Sequence, residues 1–424
     1  MQRRDLATWL ALAGVGLLLC WVAVSLDARL GAASSPFLGR YAPSAPVWLL
    51  GAVAVAAAVL WLSAGRLWER APWPAVLAGG YVATLAWGVS LALRDGPAGL
   101  AASLTDLDGP GGDVADVGDD PGGWLAGFTD SDAAHSRHTW GHPPGPVLLL
   151  WSLRRLGLGD DLLLASLVAA VGALVVPLVL HVARSACGDL NARRYVPVLA
   201  LAPYALWSAG SMDAVAAVLG AAMAAAGVVA TERRGRRAAV WGLGAGVLLG
   251  VAALFAYAAA WLGLSVICLY FARRRPLLNV LTGVGALAPV LAAQAFGFSW
   301  TAGLLSARAD HADEIAPYRA ALWWAGLSLV ALLLAAGPPM VASLRKLRNT
   351  PAWPFLMGAG AAVVFSVLTG FARGGAEHAW LAFFPWLTIA ATAPERQAGP
   401  APEAPLLLAG AGAISAIALA AVLR

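Results

Sequence analysis

Apolar residues recur along this chain in blocks of about 20, each long enough to carry a helix across a hydrocarbon layer ~30 Å thick, and that length is the first constraint on its fold. The blocks fall near 6–26, 47–64, 75–93, 161–183, 195–210, 214–231, 238–255, 256–272, 277–297, 320–338, 352–371, 379–393 and 405–423. They predict about 13 transmembrane helices. Alternation of the barrel kind is absent, which leaves helices as the economical way to satisfy peptide groups in lipid. A mean hydropathy of +0.74, with 60% hydrophobic and 12% charged residues, exceeds what a soluble core needs. The expected fold class is all-α, a polytopic membrane helical bundle.

Charge gives the orientation. With the N-terminus in the cytoplasm, most of the 28 Lys+Arg fall in inward loops, including Arg66, Arg70, Arg193, Arg194, Arg273, Arg274, Arg275, Arg345 and Lys346. Most of the 23 Asp+Glu then face outward. The net charge of +5 calls for no nucleic-acid partner: "ERRGRR" and "FARRRP" are short basic caps on helix ends, suited to anionic lipid headgroups. Arg3 and Arg4 precede the first block as in a secretory or twin-arginine signal, but that block is long and no A-x-A site follows closely. Cys20, Cys187 and Cys268 offer neither a disulfide framework nor a metal spacing.

Between Arg94 and about Pro146 lies the longest stretch without a span, and loops of that length are usually functional or disordered. Its first half, "TDLDGPGGDVADVGDDPGG", reads mainly as a solvated acidic linker or a calcium-binding turn, without the glutamate and spacing of an EF-hand. The second half, "HTWGHPPGPVLLLWSLRRLGLGDD", is more specific. His142 precedes a proline and should be extended, and a helix too short to span should follow it and end near Gly157. Leu148, Leu149, Leu153 and Leu156 can share its apolar face while Arg154 and Arg155 stay polar, so the helix should lie along the membrane surface. Its N-terminus, beside His138 and His142, favours an anion such as a phosphate. His135, His138 and His142 have the spacing of one helix face, yet Gly141 and the proline pair interrupt it, so a zinc site is not favoured.

Further polar residues stand at the outer ends of spans. Asp213 in "WSAGSMDAVAAVLG" opens a helix and is either an ordinary first-turn aspartate or a functional carboxylate. "LTGFARGGAEHAWLAFFPWL" sets Arg373, Glu377 and His378 in one tight turn, and "SARADHADEIAPYR" reads mainly as a solvated loop. Carboxylates, imidazoles and guanidiniums on one side of a membrane suit transfer between a lipid phosphate and an acceptor hydroxyl. No P-loop, dinucleotide-binding glycine fingerprint or nucleophile elbow is present in the sequence.

Taken in order from about residue 90 to residue 390, "RDGPAGLAASL", "GHPPGPVLLLWSLRRLGLG", "APYALWSAGSMDAVAAVLGAAMAAAG", "ALFAYAAAWLGL" and "GGAEHAWLAFFPWL" resemble the GT-C superfamily of integral membrane glycosyltransferases, especially its actinobacterial members. The chain is then expected to have three parts: 1–74 with two N-terminal spans, a GT-C-like core over 75–393 that includes an extracytoplasmic loop 94–146 and an interfacial helix 143–157, and 394–424 with a cytoplasmic linker and a last span. It implies a plasma-membrane enzyme that takes a polyprenyl-phosphate sugar donor and passes the sugar, with inversion, to an extracytoplasmic glycan, lipid or protein among membrane lipids. Asp95 or Asp116 would be the base and Asp213 a further catalytic carboxylate. His138, His142 and Arg373 would bind phosphate, while Asp113 and Glu377 would contact substrate. "GGDVADVG" lacks the acidic-aromatic pair expected there, and the two spans before residue 75 add to the usual arrangement. A divalent cation, Mg or Mn, is compatible with such chemistry and not demanded by the sequence. The competing readings are a transporter or flippase for a lipid-linked substrate, and an inactive scaffold of the same fold. Few charges lie in mid-span and no internal repeat stands out, which disfavours the transporter.

Overall fold

The computed structural model describes residues 1–32, 35–130, 135–394 and 404–423, and for Arg137 and His138 only the backbone. The described chain is helical, its single β pairing being an isolated bridge between Tyr41 and Leu423. Five helices are long and apolar enough to cross a membrane: Gln2–Ser25, Trp73–Asp95, Asp161–Cys187, Met212–Glu232 and Leu278–Ala295. A sixth candidate is the pair Ala321–Ala336 and Pro338–Arg345, bent by 101° at Gly337. Leu49–Ala64, Tyr257–Ala272, Trp353–Thr369 and Leu406–Val422 are apolar but shorter.

Two of the predicted spans are not spanning helices. The block at 195–210 supplies the end of Asp189–Ala200 and then a tight turn, Pro203–Trp207, because Pro203 has no N–H to donate and keeps Ala202 extended. The block at 379–393 is built from three short pieces, Ala376–Ala379, Phe384–Thr388 and Ile389–Ala391. Both blocks lie deep in the protein: Tyr195, Trp380, Phe383 and Phe384 are fully buried. Hydropathy does not distinguish burial in lipid from burial in protein, and irregular backbone is tolerated in the second setting.

Side-chain bonds sort the helix termini into two ends. At one end Arg345 Nε donates to Asp5 (2.9 Å), Gln2 to the Ala404 carbonyl (3.0 Å), and Arg194 Nε to Glu69 (2.8 Å). Lys346 there donates to the carbonyls of Ala391 and Ala393, both at 2.9 Å. At the other end the Ala320 N–H donates to the Arg29 carbonyl (2.8 Å), Leu38 to Glu377 (2.7 Å) and Ala42 to the Val422 carbonyl (2.9 Å). The basic loops gather at the first end. The long loop and the turn at 373–378 gather at the second.

The helices Gly235–Ala253 and Leu278–Ala295 approach through glycine. A β-carbon at Gly246 would overlap the Thr282 carbonyl, one at Gly250 the Ala286 carbonyl, and one at Gly285 the Leu243 carbonyl. The Thr282 hydroxyl donates to the Gly242 carbonyl (2.9 Å) across the same seam, so close approach and a buried hydrogen bond hold the pair together. Gly246→Leu should lower stability by about 1–3 kcal/mol in thermal unfolding of the detergent-solubilised protein. Gly244→Leu, where nothing stands within 4 Å of a β-carbon, should leave the transition in place.

Candidate functional site

The described part of the long loop is packed against the helices. Its start folds as the helix Pro97–Thr105, whose Leu100 and Leu104 are buried, and Val114 and Val117 join the same cluster. Asp113 is buried with them: its carboxylate accepts from the Ser136 N–H (2.8 Å) and from the Ser136 hydroxyl (3.1 Å), with His135 Nδ1 at 4.0 Å. Asp113 therefore ties the front of the loop to its back, a role that the acidic-linker reading did not foresee.

His142 is extended as expected, with φ −129° and ψ 152°. The helix after it runs from Gly145 to Arg155 and starts where the Gly145 N–H donates to the Leu254 carbonyl at 3.0 Å. A β-carbon at 145 would overlap that carbonyl, so this approach requires glycine. The buried face of the helix is Pro146, Val147 and Leu150, packed near Leu164 and Val168, while Leu156 is 79% exposed. Leu148, Leu149 and Leu153 are half-buried against the same cluster, and of the face expected from the sequence only Leu156 stands clear of the protein.

Asp213 stands in the first turn of Met212–Glu232 behind the capping residue Ser211, whose hydroxyl oxygen accepts from the Asp213 N–H at 3.2 Å. His378 Nδ1 donates to Asp213 Oδ2 at 3.2 Å, and His142 Nε2 lies 3.5 Å from Oδ1. Each carboxylate oxygen thus faces one imidazole. The Asp213 side chain is only 12% exposed, whereas that of His378 is 41% exposed, so His378 is the member with an open edge. Gly374 and Gly375, at φ +83° and +82°, make the left-handed turn that delivers His378 to this position. Burial alone would lower the pKa of His378, but the Asp213 hydrogen bond and the charges of Asp213 and Glu377 outweigh it and raise the value above 6.5.

Glu377, one residue earlier, is fully buried and points the other way. Its Oε1 accepts the Leu38 N–H, its Oε2 has no partner among the described residues, and burial raises its carboxyl pKa. It joins the 373–378 turn to the segment between the first two helices, which also stacks Phe37 on Trp207 at 5.1 Å. Arg373 and Arg319 interlock, each guanidinium donating to the other's carbonyl. His311 lies beside them, its pKa pulled down by burial and then by the Arg373 charge. The Arg373 Nε and His311 Nε2 atoms are buried without hydrogen-bond partners among the described residues. The Arg373 and Arg319 guanidiniums thus meet at the turn that carries His378.

The structure brings together His142, Asp213 and His378, with Arg373 and Glu377 on the turn that carries His378. It does not place Asp95 or Asp116 in contact with them: both are exposed, and Asp95 pairs with Arg94 at 3.2 Å. The side chain of His138 falls outside the described residues. His378, Arg319 and His311 were missed as site residues. For His378 the signal was the Gly-Gly pair ahead of it; for Arg319 and His311 only the composition of their loop hinted at a role. Among the described residues no group of three or more His, Cys, Asp or Glu is placed to hold a metal ion. An apolar pocket adjoins Asp213 through the next residue, Ala214, with Gly88, Gly172, Tyr204 and Leu381 also in its wall. The Tyr204 hydroxyl is buried there with no partner among the described residues.

No protein-family model matches the chain, and no curated protein matches it. Among solved structures it is similar to ArnT from Cupriavidus metallidurans in the apo state, at 18% identity and a TM-score of 0.39 over 65% of this chain and 54% of that one. The chain thus matches about half the length of that protein.

Two predictions follow from this geometry. His378 has a raised folded-state pKa, so its pairing with Asp213 contributes stability in full below the unfolded value of about 6.5 and loses it as pH rises through the folded value. The melting temperature should fall across that window in the native chain, and His378→Gln should abolish that component. Glu377, a buried acid with a raised pKa, costs stability once it ionises. Glu377→Gln keeps an acceptor for Leu38 and should hold or raise the melting temperature at neutral pH, whereas Glu377→Ala should lose about 1–3 kcal/mol.

Proposed function

We propose that this protein is a membrane glycosyltransferase of the GT-C type, which moves a sugar from a polyprenyl-phosphate donor to an extracytoplasmic acceptor at the plasma membrane. The observation that carries the reading is the Asp213 carboxylate held between His142 and His378, at the end of the bundle opposite the basic loops. The positive-inside rule turns that end outward, with the N-terminus in the cytoplasm.

The chemistry has three requirements, and residues at this end suit each. Bond breaking at the sugar carbon releases a lipid phosphate, whose negative charge needs cationic hydrogen-bond donors: the Arg373–Arg319 pair, and His378, whose pKa Asp213 raises, suit that need. Bond formation at the same carbon requires the acceptor hydroxyl to lose its proton. His142 takes it, and Asp213 stabilises the resulting imidazolium as a carboxylate orients a catalytic histidine. Both Asp213 oxygens already face imidazoles, which favours a single inverting displacement over attack by the carboxylate itself. The apolar cavity beside Asp213 suits the prenyl chain.

The protein should therefore transfer label from a polyprenyl phosphosugar to membrane acceptors in proteoliposomes. His142→Gln and Asp213→Asn should each reduce kcat by about 10²–10⁴-fold. Arg373→Ala should mainly weaken donor binding. Turnover should decline as pH rises through the elevated His378 pKa, and His378→Gln should remove that limb at a lower kcat. Scrambling of the lipid-linked sugar across the bilayer without transfer would refute the enzyme and favour a flippase.

A further inference from the structure

We infer that a second pocket at the same end of the bundle, bounded by Trp140, Tyr257, Ser306 and Asp310, binds the carbohydrate portion of the acceptor through its hydroxyl groups. The inference deepens the glycosyltransferase reading and rests on it for the word acceptor; the binding of a saccharide does not depend on it.

The pocket is a partly open cleft between the described tail of the long loop, the turn at Tyr257 and the helix Trp300–Asp310. Its walls combine two chemistries that a sugar ring needs. Phe128, Trp140 and Tyr257 offer apolar surface for the C–H face of a pyranose or furanose. Asp310 and Ser306 offer polar atoms for its hydroxyls, a carboxylate being the strongest acceptor available for a vicinal pair. Asp310 forms no ion pair among the described residues.

Packing holds the walls in place. Phe128 meets Phe298 edge to face at 5.3 Å and His135 at 4.9 Å, while Tyr257 meets Trp300 at 5.5 Å. His135 is held in turn by the Phe128 carbonyl at 3.0 Å, and Trp300 Nε1 donates to the Ala253 carbonyl at 2.8 Å. The position is as informative as the lining. The short helix Arg137–Gly141 forms one wall through Thr139 and Trp140, and the next residue is His142, which faces Asp213. The wall residue Trp140 is thus two residues along the chain from the imidazole assigned the acceptor's proton.

Charge separates this pocket from a donor site. A phosphosugar would meet the Asp310 carboxylate, with the acidic side chains of Asp313 and Glu314 close behind it. The cations suited to a phosphate, Arg319 and Arg373, do not line the pocket. An uncharged polyol meets no such repulsion.

The test is saturation-transfer NMR on the full chain in nanodiscs, with the methyl glycosides of mannose, glucose and arabinofuranose as probes. At least one glycoside should bind the native protein. Asp310→Asn and Trp140→Ala should each weaken it roughly tenfold, while Asp213→Asn leaves it within about twofold. Tyr257→Phe, which keeps the ring and removes the hydroxyl, is a milder variant should Trp140→Ala unfold. Binding unchanged in Asp310→Asn and Trp140→Ala, binding lost equally in Asp213→Asn, or no binding by any glycoside would each overturn the inference. Saccharide binding without transfer from any polyprenyl phosphosugar would instead overturn the proposed enzyme and leave the pocket standing.

Discussion

A carboxylate withdrawn from water needs hydrogen bonds or counter-charge, and Asp213, at the mouth of an apolar helix, must find both in the protein. The Ser211 cap is two residues away, and the two imidazoles come from far along the sequence, His378 being 165 residues away. Each partner brings a constraint of its own. His142 depends on the close approach of Gly145 to Leu254, and His378 depends on the left-handed turn at Gly374 and Gly375. Glu377 holds that turn from behind through Leu38, so even the segment between the first two helices takes part in placing the imidazole. The arrangement of this end of the bundle follows from one polar group at the edge of lipid.

The positions of the cations follow the same logic. Arg319 and Arg373 satisfy part of their donor capacity on each other's carbonyls, which fixes two turns to one another. At the opposite end Arg345 pairs with Asp5 and Arg194 with Glu69, so those cations hold helices together through carboxylates.

Some of this was legible in the sequence and some was not, for definite reasons. The long apolar blocks and the short helix after His142 could be read because length and proline rules are local. The charged turn at 373–378 could be read because its glycines punctuate the chain. The fates of 195–210 and 379–393 could not, since a buried irregular segment is as apolar as a span. The buried face of Gly145–Arg155 was decided by Leu164 and Val168, which no periodicity within the helix encodes. Asp113 looked like its exposed neighbours because Ser136, its partner, is 23 residues away. The pairing of His378 with Asp213 was invisible for the same reason, although each residue alone stood at a marked position. Asp95 and Asp116 were offered as the base by the family resemblance; both are exposed, and Asp95 pairs with Arg94.

The lining of the site suggests why polar and apolar features converge at Asp213. Ala214, the next residue, lines the apolar cavity, so the boundary between the two environments falls within one peptide unit. A ligand with a charged head and a hydrocarbon chain meets both without leaving the protein. A ligand that is polar throughout is favoured only on the loop side, where Thr139, Trp140 and Asp310 stand. On the proposed reading, the amphipathic substrate reaches Asp213 by the apolar pocket and the polar one from the loop side. Such an arrangement keeps the two from competing for a single path, and it asks of the fold only that one helix begin where the lipid ends.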